Sequence, residues 1–413
     1  MKIDIISHSD SLGGAARASL RLHRALLKEN IDSSLIVKSC TTDQQRVISC
    51  SRIGQIYYRG LSYFSSKIGR LQKTRSSIIH SFNFFGSFVF KRIMSRKSDV
   101  VNLHWINAET LSIKQISKIN KPVVMTLHDM WAFCGAEHLS VDDENSMFRK
   151  GYSLNDRNSD YIAGVNLNYL TWKRKQKYWN KPFILVTPSR WLSKCASESK
   201  LFRGWEIHTI PNPLDTDMFK PIDKSVARQL LNVDQDKIII GFGAMGGGQD
   251  PNKGFDLLVD ALNNLPNPDK YLCVILGQSH GSGTPSNINI DIKYVGHLHD
   301  EASLVAFYNA LDVMVVPSKQ ENLPQTATEA QSCGIPVVAF NTTGLKDVVV
   351  HKVTGYLAEP FEPVSLARGI EWCVSDRGID CSLNARKRAV ELWAEGVITL
   401  QYLNVYEKAL DRK

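Results

Sequence analysis

The chain has 413 residues, more than a single hydrophobic core usually serves, so two domains are the default expectation. Its 43% hydrophobic and 22% charged residues are typical of a soluble globular protein and argue against disorder on a large scale. The formal net charge of +9 favours an anionic partner, which a nucleotide, a membrane surface or a nucleic acid would each satisfy.

The N-terminus and the cysteines indicate the compartment. "MKIDIISHSD" is interrupted by charged and polar residues and does not resemble a signal peptide, and no stretch approaches the roughly 18 to 20 apolar residues of a membrane span. The eight cysteines are scattered without a C-x-x-C pair, which argues against a zinc site or a disulfide framework. We therefore expect a cytoplasmic protein with free thiols.

Short β-branched runs alternate with amphipathic stretches from the start of the chain. Residues 2–7 predict a buried strand and residues 14–28 a helix, and this alternation indicates a parallel sheet covered on both faces. Further strands are predicted at "SSLIVKS", 99–106, 122–128 and 183–189, and after residue 236 at "KIIIGFGA", "YLCVILG", "IDIKYVGHL", "DVMVVPS" and "PVVAF".

The stretch "IHTIPNPLDTDMFKP" separates the two series and is rich in proline and polar residues, which is typical of a linker. We predict an α/β protein of two doubly wound domains, 1–211 and 212–395, with a ligand in the cleft between them. Residues 396–413 are predicted to form a helix that packs back on the first domain. The expected apolar face of this helix carries Leu400, Leu403, Tyr406 and Leu410.

"GFGAMG" matches the dinucleotide fingerprint G-x-G-x-x-G at Gly241, Gly243 and Gly246. A dinucleotide fold needs a helix to open inside that motif, because the helix N-terminus must meet the pyrophosphate. Helical character begins only near Gly254, and no acidic residue closes the next strand. A nicotinamide oxidoreductase is therefore disfavoured.

Two carboxylates flank Pro324 in "ENLPQTATE". Because proline favours the first helical position, Glu321 is predicted in the loop after a strand and Glu329 in the second helical turn. Both then lie at the sheet edge where open α/β folds bind ligands, and a carboxylate there can hold a ribose diol or a sugar hydroxyl. The alternative is an exposed loop glutamate and an ion-paired helix glutamate.

Other candidate side chains also follow strands. Lys253 stands at a helix start, where the dipole disfavours a cation, so it indicates a bound anion such as a diphosphate or, alternatively, a solvated lysine. Gly13 and Gly14 expose amides at another helix start, which suits phosphate or merely a tight turn. His128 ends a strand, where it can contact a sugar hydroxyl or be structural, and His104 is similarly placed on the previous strand.

Two basic aromatic stretches, 52–75 and 169–181, are compatible with an anionic membrane surface or with ordinary solvated helices that have a packed apolar face. Residues 52–75 carry six basic residues and no acid, interleaved with Ile, Tyr, Leu and Phe, which favours the membrane interpretation for that stretch. Nucleic acid is disfavoured because no recognised binding module accompanies the charge.

Taken together, these segments resemble the retaining glycosyltransferase family 4 of the GT-B fold, of the bacterial surface-polysaccharide type. The similarity runs over most of the chain and is strongest from Ile207 to Glu359. "ENLPQTATE" matches the family's E-x7-E motif and "NKGFDLLVDAL" its lysine-glycine helix. "TPSRWL", "IPNPLDTDMFKP", "GGAAR", "TLHDMW" and "KVTGYLAEP" fit the family in order and spacing.

The resemblance implies transfer of a sugar, with retention, from a nucleotide-diphosphate-sugar donor to a growing lipid-linked glycan of a surface polysaccharide. It also implies that no metal or other cofactor is used, while the basic aromatic stretches favour the lipid-linked acceptor and a peripheral position at the inner face of the membrane. A nucleotide-sugar epimerase of the GT-B fold and a catalytically silent GT-B partner subunit remain alternatives. The implied contacts are Glu329 on the ribose, Glu321 and the Asn322, Leu323 and Pro324 amides on the donor sugar, Lys253, Gly13 and Gly14 on the diphosphate, His128 by the donor sugar, and His297 and Leu298 by the base.

The sequence departs from the family in one place that bears on the chemistry. The family usually carries an arginine just after the first strand of the second domain, where Ala244 or Met245 stands here. The "NLP" between the glutamates also replaces a more usual glycine-rich segment. Phosphate binding is therefore expected to rest on Lys253 and backbone amides, and the missing arginine is the reason for the silent-subunit alternative.

Overall fold

The structure, a computed structural model, describes residues 1–155, 163–243, 250–278 and 288–412. The chain divides into two compact units, of which the first comprises Met1–Pro211 with Thr399–Lys413 and the second Asn212–Ile398. In the described residues each unit is built on a parallel sheet whose strands alternate with helices, as the sequence predicts. The α/β fold class is confirmed.

The first unit has a parallel sheet in which strand order reverses once. Its strands are β1 (Lys2–Ser9), β2 (Asp32–Ser39), β3 (Val47–Ile48), β4 (Val100–Leu103), β5 (Val123–Thr126), β6 (Ile184–Thr187) and β7 (Ile207–Thr209). They lie in the order β3-β2-β1-β4-β5-β6-β7, so the reversal falls between β1 and β4. Ligands of open α/β sheets bind beyond the carboxyl ends of the strands at such a reversal.

Helices connect these strands and cover the sheet. They are α1 (Gly14–Lys28), α2 (Arg52–Gly69), α3 (Phe88–Ser95), α4 (Ile113–Ile116), α5 (Met147–Lys150), α6 (Leu167–Tyr178) and α7 (Arg190–Glu198). Every residue of β4 and of β6 is buried, which is the expected state of a strand covered on both faces.

The second unit repeats the plan. Its strands are β8 (Ile238–Gly243), β9 (Tyr271–Leu276), β10 (Asp291–Gly296), β11 (Val313–Val316), β12 (Val337–Phe340) and β13 (Gly355–Ala358), in the order β10-β9-β8-β11-β12-β13. Its helices are α8 (Lys224–Leu230), α9 (Phe255–Asn263), α10 (Glu301–Ala310), α11 (Gln325–Ser332), α12 (Leu345–Val348), α13 (Pro363–Val374) and α14 (Ile379–Trp393). The strand order reverses between β8 and β11.

Successive residues of β11 show that this second sheet is covered on both faces. Met314 and Val316 pack in one apolar cluster, while Val313 and Val315 pack in another. The strand is therefore a continuous apolar run, as strands of buried parallel sheets are.

Three details differ from the sequence-based prediction or refine it. Ile207–Thr209, predicted as the start of a linker, instead forms the edge strand β7 by pairing with β6. The last helix, α15 (Glu395–Asp411), buries Tyr402 and Tyr406, whereas Leu400 is 65% exposed, so its inner face is rotated from the predicted one. No helix among the described residues is long and apolar enough to cross a membrane.

In the G-x-G-x-x-G match, Gly241 is explained by packing. Gly241 lies within β8, and a Cβ added there would be 2.2 Å from the Leu311 side chain. Helix α9 opens only at Phe255, with Gly254 before it. Gly246, like Ala244 and Met245, lies outside the described residues.

Candidate active site

Two loops follow the adjacent strands β8 and β11 at the point where the strand order of the second unit reverses. The first loop leads to Lys253 and Gly254, and the second carries Glu321. Parallel strands place their carboxyl ends at one edge of the sheet, so the two loops meet there. This edge brings together two residues that the sequence separates by 68 positions.

The two loops are held together by backbone contacts that require glycine at residue 254. The Lys319 amide donates to the Asn252 carbonyl oxygen at 2.8 Å, and Asn252 Nδ2 donates to the Gln320 carbonyl oxygen at 2.8 Å. Gly254 has φ +65°, and a Cβ there would lie 2.0 Å from the Pro317 carbonyl oxygen. A side chain at residue 254 would therefore push the loops apart.

Lys253 and Glu321 form an ion pair across these loops. Lys253 Nζ donates to Glu321 Oε1 at 2.6 Å, and the two side chains are 28% and 16% exposed. The charge of Glu321 raises the pKa of Lys253 above its ordinary value, with its hydrogen bond and the charge of Asp250 adding to the effect, while burial opposes it. The lysine therefore stays protonated.

A third loop, which the sequence analysis missed, fixes Glu321 from behind. Thr343 Oγ1 accepts from the Glu321 amide at 3.1 Å, and the Gly344 amide donates to the Glu321 carbonyl oxygen at 2.9 Å. A Cβ at Gly344 would lie 1.6 Å from the Asn322 carbonyl oxygen, so only glycine permits this approach. The "TTG" that follows β12 was the available sequence signal for such a contact.

Helix α11 begins where the proline predicts, with Pro324 as its N-cap and Gln325 as its first residue. Asn322 is half-buried, while Leu323 and Pro324 are buried. Pro324 has no amide hydrogen, so of the three amides expected on the donor sugar only those of Asn322 and Leu323 can donate. The helical amides begin at Gln325, and the Ala327 amide donates to the Pro324 carbonyl oxygen at 3.1 Å.

Glu329 lies in the second turn of α11 and is only 1% exposed. Tyr308 Oη, from α10, donates to Glu329 Oε2 at 2.7 Å. A ribose that binds Glu329 must therefore share this carboxylate with Tyr308 or replace the tyrosine. Tyr308 is a second residue of the site that the sequence analysis missed.

His297 and Leu298 lie on the loop after β10, at the edge of the same sheet. His297 is exposed, and Leu298 packs partly against the core of the second unit. Because β10 is three strands from β11, these residues are offset by about 14 Å from the Glu321 loop. The strand order thus spreads the predicted donor-binding residues along the sheet edge.

In the first unit the corresponding reversal lies beside Gly13 and Gly14, which connect β1 to α1. Gly13 has φ +88° and precedes the helix, and an added Cβ at either glycine would meet nothing within 4 Å. The backbone there is open to approach. Nearby, Asp10 secures the turn by accepting hydrogen bonds from the Thr41 and Thr42 amides.

His128 follows β5 and is half-buried, and its Nε2 lies 2.9 Å from Nδ1 of His104. Burial lowers the pKa of His128 to about 4, although the charge of Asp129 acts in the opposite direction. Asp129 Oδ2 accepts from Trp105 Nε1 at 2.9 Å and pairs with His138 Nδ1 at 2.6 Å. The His128 loop is therefore anchored on both sides by buried polar contacts.

Comparison with known proteins gives a match within the second unit. Residues 226–391 match the family model described as "Glycosyl transferases group 1". The match covers 166 of the 413 residues, all within the second unit. The matched segment contains Lys253, Glu321 and Glu329, together with the three loops that position them.

Relatives and solved structures extend this comparison. A D-inositol 3-phosphate glycosyltransferase of Xylanimonas cellulosilytica is 31% identical over 228 residues, 50% of this chain and 52% of that protein, so the chain spans about half of that relative's length. Sucrose-phosphate synthase of Thermosynechococcus elongatus superposes with a TM-score of 0.68 at 17% identity over 100% of both chains. HepE of Anabaena in complex with UDP-glucose gives 0.65 at 17% identity, over 99% of this chain and 100% of that one. The chain has the GT-B fold.

Proposed function

We propose that the chain is a retaining glycosyltransferase that moves a sugar from a nucleotide-diphosphate-sugar donor to a growing, lipid-linked glycan of a bacterial surface polysaccharide. The observation that carries the proposal is the Lys253–Glu321 ion pair at the strand-order reversal of the unit that matches the glycosyl transferases group 1 model. HepE, a protein of the same fold, was crystallised with UDP-glucose, which supports a nucleotide sugar as donor.

The chemistry follows from what each side chain can offer. Lys253 supplies a fixed positive charge where the departing diphosphate gains negative charge, so it stabilises that leaving group without a metal ion. Glu321, on the other side of the lysine, accepts hydrogen bonds from hydroxyls of the donor sugar, and Glu329 accepts from the ribose. Catalysis then consists of positioning and of charge stabilisation at the leaving group.

The membrane part of the proposal rests on α2, a helix whose polar side contacts the protein and whose apolar side faces solvent. Its inner side is attached through hydroxyls, because Ser62 Oγ accepts from Lys38 Nζ at 2.6 Å and Ser65 Oγ donates to Glu109 Oε1 at 2.6 Å. Its outer side carries large apolar side chains that are 56–81% exposed, namely Ile53, Ile56, Tyr57, Tyr63 and Phe64.

The charge around this helix favours an anionic lipid surface as its partner. Exposed Arg52, Arg59, Lys67 and Arg70 border the apolar side chains, and residues 44–98 contain no Asp or Glu. Apolar insertion combined with basic residues is how interfacial helices bind anionic bilayers. We therefore assign docking on a membrane that carries lipid-linked glycans to α2.

The second basic stretch, in α6, is used inside the protein instead. Lys175 is fully buried, with Nζ donating to the carbonyl oxygens of Cys134 at 3.0 Å and Gly135 at 2.7 Å. Arg174 donates to the carbonyl oxygens of residues 82 and 83. The packed-helix alternative therefore describes α6, and the membrane proposal is confined to α2.

Neutralising two arginines of α2 should weaken binding to anionic vesicles far more than neutralising two lysines of α6. Each basic residue near an anionic surface contributes about 1 kcal/mol, so Arg52→Gln with Arg59→Gln, both exposed, should lower the partition coefficient about thirtyfold. The matched control, Lys173→Gln with Lys177→Gln, removes the same charge from exposed positions of α6. Flotation with phosphatidylserine and phosphatidylcholine vesicles measures both, and equal recovery from neutral vesicles would contradict the assignment.

The transfer reaction is tested with radiolabelled nucleotide sugars and a bacterial lipid extract. The purified chain should move label from the nucleotide into the organic phase, with the anomeric configuration of the donor kept in the product. Epimerised donor in the absence of acceptor would instead identify the epimerase alternative. No turnover with any donor, whether lipid extract or inositol phosphate is the acceptor, would identify a silent subunit. Label on inositol phosphate would show that this compound, and not a lipid-linked glycan, is the acceptor.

A further inference from the structure

Thr343, on the loop after β12, has a backbone conformation that threonine rarely adopts. Its φ is +44°, in the left-handed region, where a branched side chain is strained. The neighbouring Gly344 has an ordinary φ of −72°, and glycine is needed there because a Cβ would lie 1.6 Å from the Asn322 carbonyl oxygen. Residue 343 thus has the φ that suits glycine but carries a threonine, and strain of this kind clusters at functional sites.

The side chain of Thr343 holds the backbone of Glu321. Thr343 Oγ1 accepts from the Glu321 amide at 3.1 Å, and the Gly344 amide donates to the Glu321 carbonyl oxygen at 2.9 Å. The carboxylate of Glu321 accepts from Lys253 Nζ at 2.6 Å. Glu321 is therefore held at its amide, its carbonyl and its carboxylate by two loops other than its own.

Stability alone does not explain the threonine. A single neutral hydrogen bond contributes no more to the stability of the fold than the left-handed conformation of a branched residue costs. A glycine at residue 343 would lose the hydrogen bond and the strain together, so the fold gains little from threonine. What would be lost is the fixed position of Glu321.

We propose that Thr343 is a positioning residue whose hydroxyl holds Glu321 where its carboxylate contacts the sugar of a nucleotide-diphosphate-sugar donor. This role rests on the proposed function, in which Glu321 accepts hydrogen bonds from hydroxyls of that sugar. Lys253 is held through its neighbours Asn252 and Gly254, whose close contacts do not involve Thr343. Loss of the hydroxyl should therefore affect the sugar and not the diphosphate.

Hydrogen exchange at the Glu321 amide of the ligand-free protein tests the contact itself. Thr343→Val keeps the branched shape and removes the acceptor, so it should speed exchange about fivefold, the effect of one ordinary hydrogen bond. Thr343→Ser keeps the hydroxyl and should exchange like the wild type. Equal exchange in the wild type and in Thr343→Val would overturn the proposal.

Steady-state transfer distinguishes positioning from a general loosening of the unit. Thr343→Val should lower kcat/KM for the nucleotide sugar about 10- to 100-fold by misplacing Glu321, and Thr343→Ser should restore it. The affinity for free nucleoside diphosphate should not change. In a Glu321→Gln background Thr343→Val should lower transfer no further, because the group that it positions is already lost. Additive losses, or an equal loss of diphosphate affinity, would overturn the proposal.

Lys352 provides the matched control, because it also has a left-handed φ, +59°, and is exposed before β13, at the opposite edge of the sheet from Glu321. Thr343→Gly and Lys352→Gly should both keep the melting temperature within about 4 °C of the wild type, but only Thr343→Gly should lose transfer. A larger fall in Thr343→Gly would indicate a structural contact and overturn the positioning role. If exchange responds as expected but no nucleotide sugar binds the wild type, the proposed function fails and Thr343 keeps only a structural contact.

Discussion

Replacing Lys253 with methionine should weaken the binding of a nucleoside diphosphate about 10- to 100-fold, which is the usual effect of losing a hydrogen bond to a charged group. Lys253 is a partly buried cation held at the strand-order reversal, and methionine keeps its length while removing its charge. The matched control is Lys319→Met on the neighbouring loop. Lys319 is 40% exposed, and its Nζ forms a surface ion pair with Asp256 Oδ2 at 3.6 Å. Calorimetric titration with UDP, GDP and dTDP compares the two, and equal losses would refute the role of Lys253.

The partner carboxylate should respond in the opposite way. In the ligand-free protein Glu321 already occupies one donor of the Lys253 ammonium, and its negative charge opposes a diphosphate. Glu321→Gln should therefore leave the affinity for free nucleoside diphosphate unchanged or raise it, while sugar transfer falls. A loss of diphosphate affinity as large as that of Lys253→Met would show that Glu321 does not act on the sugar.

Gly254→Ala should destabilise the second unit far more than Gly296→Ala, although both glycines have nearly the same φ, +65° and +68°. A Cβ at residue 254 would collide with the Pro317 carbonyl oxygen at 2.0 Å, whereas one at residue 296 meets nothing within 4 Å. We expect a cost of about 1 kcal/mol for the left-handed conformation at either site, and about 1 to 3 kcal/mol more for overpacking at residue 254.

Scanning calorimetry separates these two contributions. Gly254→Ala should lower the melting temperature by roughly 4 to 16 °C, and Gly296→Ala by roughly 2 to 4 °C. Nucleoside diphosphate binding should fall in Gly254→Ala only, because the displaced loop carries Lys253. Equal melting temperatures for the two variants would show that the close approach of the loops is not required.

The sequence predicts most of the sheet because buried parallel strands are continuous apolar runs, and β11 and β12 are recognisable on that ground alone. Pro324 also places the start of α11 within one residue, since its ring excludes the helix interior. Edge strands are harder. β7 has three residues and β3 two, and such short segments carry no periodicity.

The site was only partly predictable, because its decisive contacts join distant segments. Lys253 and Glu321 were each assigned from local context, but their ion pair depends on β8 lying next to β11, which no local pattern encodes. Tyr308 and Thr343 belong to the site only through tertiary contacts. Local sequence therefore identifies candidate charges, and strand order decides which of them meet.

The C-terminal helix shows a different limit. The spacing predicts an inner face that carries Leu400 and Tyr406, whereas the structure buries Tyr402 together with Tyr406 and exposes Leu400. The tyrosines are favoured because their hydroxyls meet polar partners on the sheet, Thr126 and Asn102. Hydrophobic periodicity cannot register such partners, because it scores apolar character alone.

Whether the second unit holds a nucleotide-sugar donor is tested most directly by the melting temperature of the purified chain with a panel of nucleotide-diphosphate sugars. A ligand that binds only the folded state stabilises it, by about 2.7 kcal/mol at a hundred times its Kd. At least one nucleotide sugar should raise the melting temperature, the free sugar should not, and the rise should vanish in Lys253→Met. No rise with any nucleotide sugar, or the same rise in Lys253→Met, would contradict donor binding at Lys253 and Glu321.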